Sequence, residues 1–133
     1  MIRTRNIAAT HRDTFLIRDF QASAIASKII GIVPVACELV SVKEVHGTAG
    51  NDAGTVTLSV ERLTATETSE TGNVVVNATI NLKGAARTVQ TGTIVTAGDI
   101  NIFAAGDRVG VNMTGTTTTL ATMIVACQFR PVD

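Results

Sequence analysis

Nucleophilic catalysis places a base beside a Ser, Cys or Thr, and this chain offers two imidazoles for that base, His11 and His46. His11 lies next to Arg12 and Asp13, and His46 stands at a strand end before a glycine-rich tract. Neither has a partner visible in the sequence. A metal site on a β-scaffold draws on several His and a carboxylate at strand spacing, which two isolated His do not supply, so no metal or other cofactor is expected. Glu38, Glu44 and Glu61 are the carboxylates from which a glycoside-cleaving pair would come. Without Trp or Tyr to form a sugar platform, they read as residues on the polar faces of strands. The tract at residues 47–54 lacks the Lys-Ser/Thr of a phosphate loop and no helix follows it, so it reads as a turn, and Asn51 and Asp52 as part of that turn. Residues 116–119, four threonines in a row, read as a connection. The chain is therefore expected not to be an enzyme.

Composition narrows the remaining classes. A chain of 133 residues with net charge +0 and pI near 6.7 has no whole-molecule field to draw it to nucleic acid or to an acidic membrane. Hydrophobic residues reach 45% while charged residues stop at 17%, below the usual fraction of roughly a quarter. So few charges leave too little to cover a monomer's surface, which predicts a homo-oligomer that hides neutral Thr, Ala and Val between protomers. The longest apolar run, residues 29–37, is interrupted by Gly31 and Pro34 and falls short of a bilayer span. The N-terminus has no apolar leader core, so the expectation is a protein made and kept in a cytoplasm. Cys37 and Cys127 share the register of apolar neighbours and read as buried, reduced thiols, bridged only if their strands are adjacent.

The elements that carry these residues follow from periodicity. The clearest pattern fills residues 106–130, where Val109, Val111 and Met113 alternate with Arg108, Gly110 and Asn112. Farther on, Met123, Val125, Cys127 and Phe129 alternate with Ile124, Ala126 and Gln128. Period two predicts two strands, each with one apolar face, joined as a β-hairpin lying on a second layer. Upstream, residues 28–33 read as a mostly buried strand, 35–45 as a longer one after the bend at Pro34, and Val56, Leu58 and Val60 as a half-buried one. Val74, Val76, Ala78, Ile80 and Leu82 mark another, and residues 88–96 and 100–103 shorter ones around an Ala-Gly-Asp turn. About eight short strands, Gly-rich turns and no helical period predict an all-β antiparallel β-sandwich of jelly-roll type.

Residues 1–22 differ from the rest and are expected to form an N-terminal arm, with the sandwich at residues 23–133. The arm carries two net positive charges against two net negative charges on the remainder, and half of the four Phe. It is the expected partner-binding element. Arg3, Arg5 and Arg12 would meet carboxylates, while Phe15 and Ile17 would fill grooves on a neighbour or extend its sheet.

Three stretches, VPVACELVSVKEVHGTAGNDAGTVTLSVERLT, NLKGAARTVQTGT and AAGDRVGVNMTGTTTTLATMIVACQF, spanning roughly residues 33–130, resemble small structural proteins of tailed bacteriophages encoded near the capsid genes. The resemblance implies a jelly-roll virion protein that decorates, or cements, the outside of the head, commonly as a trimer, with the major capsid protein and its own copies as partners. It carries over no functional residue, and the charge balance predicts no direct contact with nucleic acid or membrane. The alternative is a fibre, tail or baseplate module contacting a host receptor. The missing Trp and Tyr argue against a glycan-gripping tip, and the missing coiled-coil or β-helical repeat against a shaft.

Overall fold

The structure is a computed structural model that describes residues 13–51 and 53–132. Abundant Val, Ile and Thr at alternate positions favour extended backbone, and the described residues form nine strands. These are β1 (Phe15–Gln21), β2 (Lys28–Ile32), β3 (Cys37–Thr48), β4 (Thr57–Leu63), β5 (Asn73–Asn81), β6 (Gln90–Thr91), β7 (Ile102–Phe103), β8 (Arg108–Thr114) and β9 (Ala121–Pro131). One sheet has the order β1-β9-β3-β6, with β7 also on β3, and the other β2-β8-β4-β5. The ladders nest. First pairs with last, second with second-last, β3 with β6 and β7, and β4 with β5, all antiparallel. This is a long hairpin rolled over itself into two facing sheets, the jelly-roll arrangement that the strand count predicts.

The topology corrects the expected hairpin at residues 106–130. β8 and β9 lie in different sheets, β8 between β2 and β4, and β9 between β1 and β3. Their apolar faces do meet, because they look at each other across the core. Val109, Val111, Val125, Cys127 and Phe129 are fully buried, and Met113 packs at the margin. Threonines 116–119 thus lie in a crossover between layers. The strand expected as mostly buried at residues 28–33 is β2, an edge strand whose Ile29 and Ile32 are exposed; of that stretch only Val33 is fully enclosed.

The boundary of the arm also moves. Phe15–Gln21 is not a separate extension: it pairs rung for rung with β9, from Phe15 opposite Phe129 to Gln21 opposite Met123. Phe15 stacks on Phe129 at 5.4 Å, and Phe103 meets the same ring edge-on at 5.1 Å. Such pairs add about 0.5–1.5 kcal/mol beyond their burial. Ile17 reaches across to β2, where a Cβ on residue 31 would come within 2.7 Å of Ile17 Cγ2. Glycine at 31 is what lets the two edge strands close on each other, and Lys28 Nζ to Asp19 Oδ1 at 2.9 Å ties them farther along.

Cys37 and Cys127 are buried free thiols. Their strands are neighbours, but Cys37 lies opposite Pro131 and Cys127 opposite Val42. Four rungs of β9 put them roughly 13 Å apart, beyond the Cα separation of about 7 Å that a disulfide spans. Burial, reinforced by the charge of Asp107 for the first and of Asp19 for the second, pushes their thiols up to about 11 and about 12. Both act as small hydrophobes.

Because Phe129 is the ring on which the other two core phenylalanines converge, Phe129→Ala is expected to cost about 3–5 kcal/mol in chemical denaturation. Gln128→Ala, on the outward side of the same strand, should cost about 0.5 kcal/mol or less. A larger loss for Gln128→Ala than for Phe129→Ala would show that the inward and outward faces of β9 have been exchanged.

Candidate functional site

Alternation along each strand and register between strands lay out the outer face of the β1–β9–β3 sheet. Leu16, Arg18 and Phe20 of β1 point outward, as do Ile124, Ala126, Gln128 and Arg130 of β9. Pairing arranges them with β3 in rows: Phe20, Ile124 and Val45; then Arg18, Ala126 and Lys43; then Leu16, Gln128 and Ser41; then Arg130 beside Glu38. Phe20 is 59% exposed, Leu16 54% and Ile124 40%. Of the four Phe in the chain, three share the core cluster and Phe20 alone is turned to solvent. A shallow depression of about 240 Å³ is bordered by Arg18, Asp19, Phe20 and Ile124. A larger open cleft of about 530 Å³ lies at one end of the sandwich, between Arg62, Asp99, Phe103, Asp107 and Val132.

Of the expected partner-binding residues, Arg3, Arg5 and Arg12 lie outside the described residues. Phe15 and Ile17 are on the inward side of β1, packed on the protein's own core, so they are not free to enter a neighbour. The residues that β1 offers outward are the ones between them and beyond. The signal was the same alternation, read with the opposite parity.

Of the three carboxylates expected on polar faces, Glu44 and Glu61 are buried. On β3, the register slips between Leu39 and Ser41, leaving Val40 as an extra residue. A bulge of this kind reverses which side chains face inward. Cys37 and Leu39 point into the core before it, and Val42, Glu44 and His46 after it. Glu44 Oε2 lies 2.8 Å from His46 Nδ1, and His46 Nε2 lies 2.6 Å from the carbonyl oxygen of Gly84. Gln90 Nε2 donates to Glu44 Oε1 at 3.1 Å and to the carbonyl of Asn81 at 2.7 Å. The cluster fastens the β5–β6 connection across the edge where the two sheets meet. Both ring nitrogens of His46 face acceptors, so satisfying them takes one proton on Nε2 and another shared between Nδ1 and Glu44. Burial raises the Glu44 carboxyl above its ordinary value, against the hydrogen bond and charge of His46 and the hydrogen bond from Gln90, which lower it. The imidazole's hydrogen-bonding capacity is spent on the fold.

Glu61 points outward from β4, but the connection at residues 64–72 folds over it. Glu61 Oε1 accepts from Glu70 N at 2.7 Å and Oε2 from Asn112 Nδ2 at 3.1 Å. Arg108 clamps this cover by donating to the carbonyls of Thr64, Ala65 and Glu67. Glycine at 110 leaves room beneath it, since a Cβ there would come within 3.0 Å of Leu63 Cδ1. The outer face of this sheet is thus largely occupied by the protein's own chain around β4 and β8, whereas among the described residues none folds over that of the β1–β9–β3 sheet. Among the described residues, no three His, Cys, Asp or Glu side chains gather as a metal-ligand set.

The raised Glu44 value has a signed consequence. A carboxyl whose folded value lies above its unfolded one stabilises the fold fully below the ordinary Glu range. That stabilisation is lost as pH rises through the folded value. Thermal unfolding across pH should therefore show a Glu44-dependent decline as pH climbs above about 4.3, by at most about 1.4 kcal/mol per pH unit. Glu44→Gln keeps a donor for His46 Nδ1 and an acceptor for Gln90, so it should flatten that limb; a profile identical to the wild type's would refute a proton held at Glu44.

No protein-family model matches the chain, and no curated protein matches it. Among solved structures, a chain in the capsid of Ralstonia phage GP4 superposes with a TM-score of 0.61. The match covers 92% of this chain and 86% of that one at 19% sequence identity. At that identity the likeness is one of fold, and the two chains share it over nearly their whole lengths.

Proposed function

We propose that this protein is a non-enzymatic structural component of a tailed-phage virion, sited on the exterior of the capsid, where it cements neighbouring major capsid subunits as a homo-oligomer. The observation that carries this reading is the near-complete fold match to a chain of a phage capsid. A match covering most of both chains is a likeness of whole sandwiches rather than of a shared hairpin. Fold alone does not assign function, and the open face of the β1–β9–β3 sheet adds a site to it, with exposed Phe20, Leu16 and Ile124. Cementing needs no reacting group. Each square ångström of apolar surface removed from water across a seam contributes about 25 cal/mol. A protein that binds only the assembled lattice shifts the equilibrium away from separated subunits.

Two measurements test the proposal. Imaging of virions from the source phage should place this chain on the outer head lattice, between capsid subunits and around a symmetry axis. Density confined to the tail tip or baseplate would replace the proposal with the receptor-contacting alternative. Native mass measurement at micromolar concentration should give a closed oligomer, a trimer by the resemblance; a monomer in solution together with no three-fold cluster on the particle would remove that part.

A further inference from the structure

The open face of the β1–β9–β3 sheet is uneven in charge. Arg18 forms no ion pair among the described residues, and Lys43 spends one donor on Thr91 Oγ1 at 3.4 Å without meeting a carboxylate. Glu38, the carboxylate in these rows, is already paired with Arg130. Asp19 borders the depression, but its oxygens are taken by Lys28 Nζ at 2.9 Å and Gln21 Nε2 at 3.1 Å. The face therefore presents two uncompensated cations, on either side of Ala126 and about 10 Å apart across two strand spacings. They lie alongside the apolar row of Phe20, Ile124 and Val45.

We infer that this face receives an acidic, apolar segment of the capsid subunit, with carboxylates reaching Arg18 and Lys43 and apolar side chains lying along Phe20, Ile124 and Val45. The inference rests on the capsid-binding reading and names the surface and chemistry through which it acts. Charge complementarity decides the occupant. A second copy docking the same face symmetrically would set Arg18 and Lys43 against like charges, which costs affinity. Phe20 is the anchor: an exposed aromatic beside a depression, with Arg18 in the next row of the same strand, is the composition from which interface hot spots are built. Ala126, small and central, lets partner chain approach the sheet between the two long basic side chains.

The test titrates the full-length protein onto source-phage heads purified from a strain deleted for its gene, with co-sedimentation as readout. Wild type is compared with Arg18→Glu/Lys43→Glu, with Phe20→Ser and with Arg87→Glu, an exposed control on the β5–β6 connection at the far edge. Melting curves confirm that each variant is folded. The double reversal and Phe20→Ser should each weaken binding about tenfold or more, the control should stay within about twofold, and wild-type binding should weaken as salt rises. If wild type binds and the double reversal binds equally well, this surface assignment is overturned while the capsid reading stands. If the reversal instead dissociates the oligomer, as read by native mass, the face joins copies of the chain and the assignment is likewise overturned. Failure of wild type to bind heads at all would overturn both.

Discussion

The sandwich depends on β9 having a partner on each side. It pairs with β1 through seven rungs and with β3 across Cys37 to Thr48, and its inward side chains Met123, Val125, Cys127 and Phe129 floor the core. Neither neighbour reaches the other without it. β1, near the beginning of the chain, is held to its sheet by a ladder with the most distant strand in sequence, and the same is true in turn of β2 and β8. Stability here is built almost wholly from non-local pairing, which the hydrophobic faces must be strong enough to enforce before any ladder is complete.

Period two told which side chains face inward; it did not tell which strands are neighbours. The apolar sets of β8 and β9 were legible, and they are the two floors of the core. Their partnership was not, because a crossover and a hairpin connection of similar length look alike in sequence when both are rich in Gly and Thr. The eight-position architecture was legible from strand count and turn chemistry, with the one shortened position divided between β6 and β7, both on β3. Polar burial was the least legible. Glu38 and Glu44 share the same parity in the sequence, and one residue, Val40, separates their fates by bulging out of register. Glu61 escapes detection for another reason: the connection at residues 64–72, which follows its own strand, turns back and covers it.

The open face was half legible. Residues 1–22 read as an arm with something to grip through Arg3, Arg5, Arg12, Phe15 and Ile17, and the register with β9 turns Phe15 and Ile17 inward. Leu16, Arg18 and Phe20 then become the outward set by elimination, and Lys43 joins them through a bulge that nothing in β1 announces. The two sheets differ in what covers them. One carries the β4–β5 connection, pinned by Arg108, on its outer surface, and the other is left with three exposed large hydrophobics and two cations that form no ion pair among the described residues.

The place of β9 has a consequence for synthesis. A ribosome adding about 5–20 residues per second leaves β1 without its ladder for several seconds after it has emerged. During that interval β3 also lacks its longest partner, and two strands bearing Phe15, Ile17, Leu39 and Val42 expose apolar faces and open edges to solvent. Yield thereby becomes a property of topology as much as of final stability, since open edges and apolar faces exposed during synthesis favour aggregation.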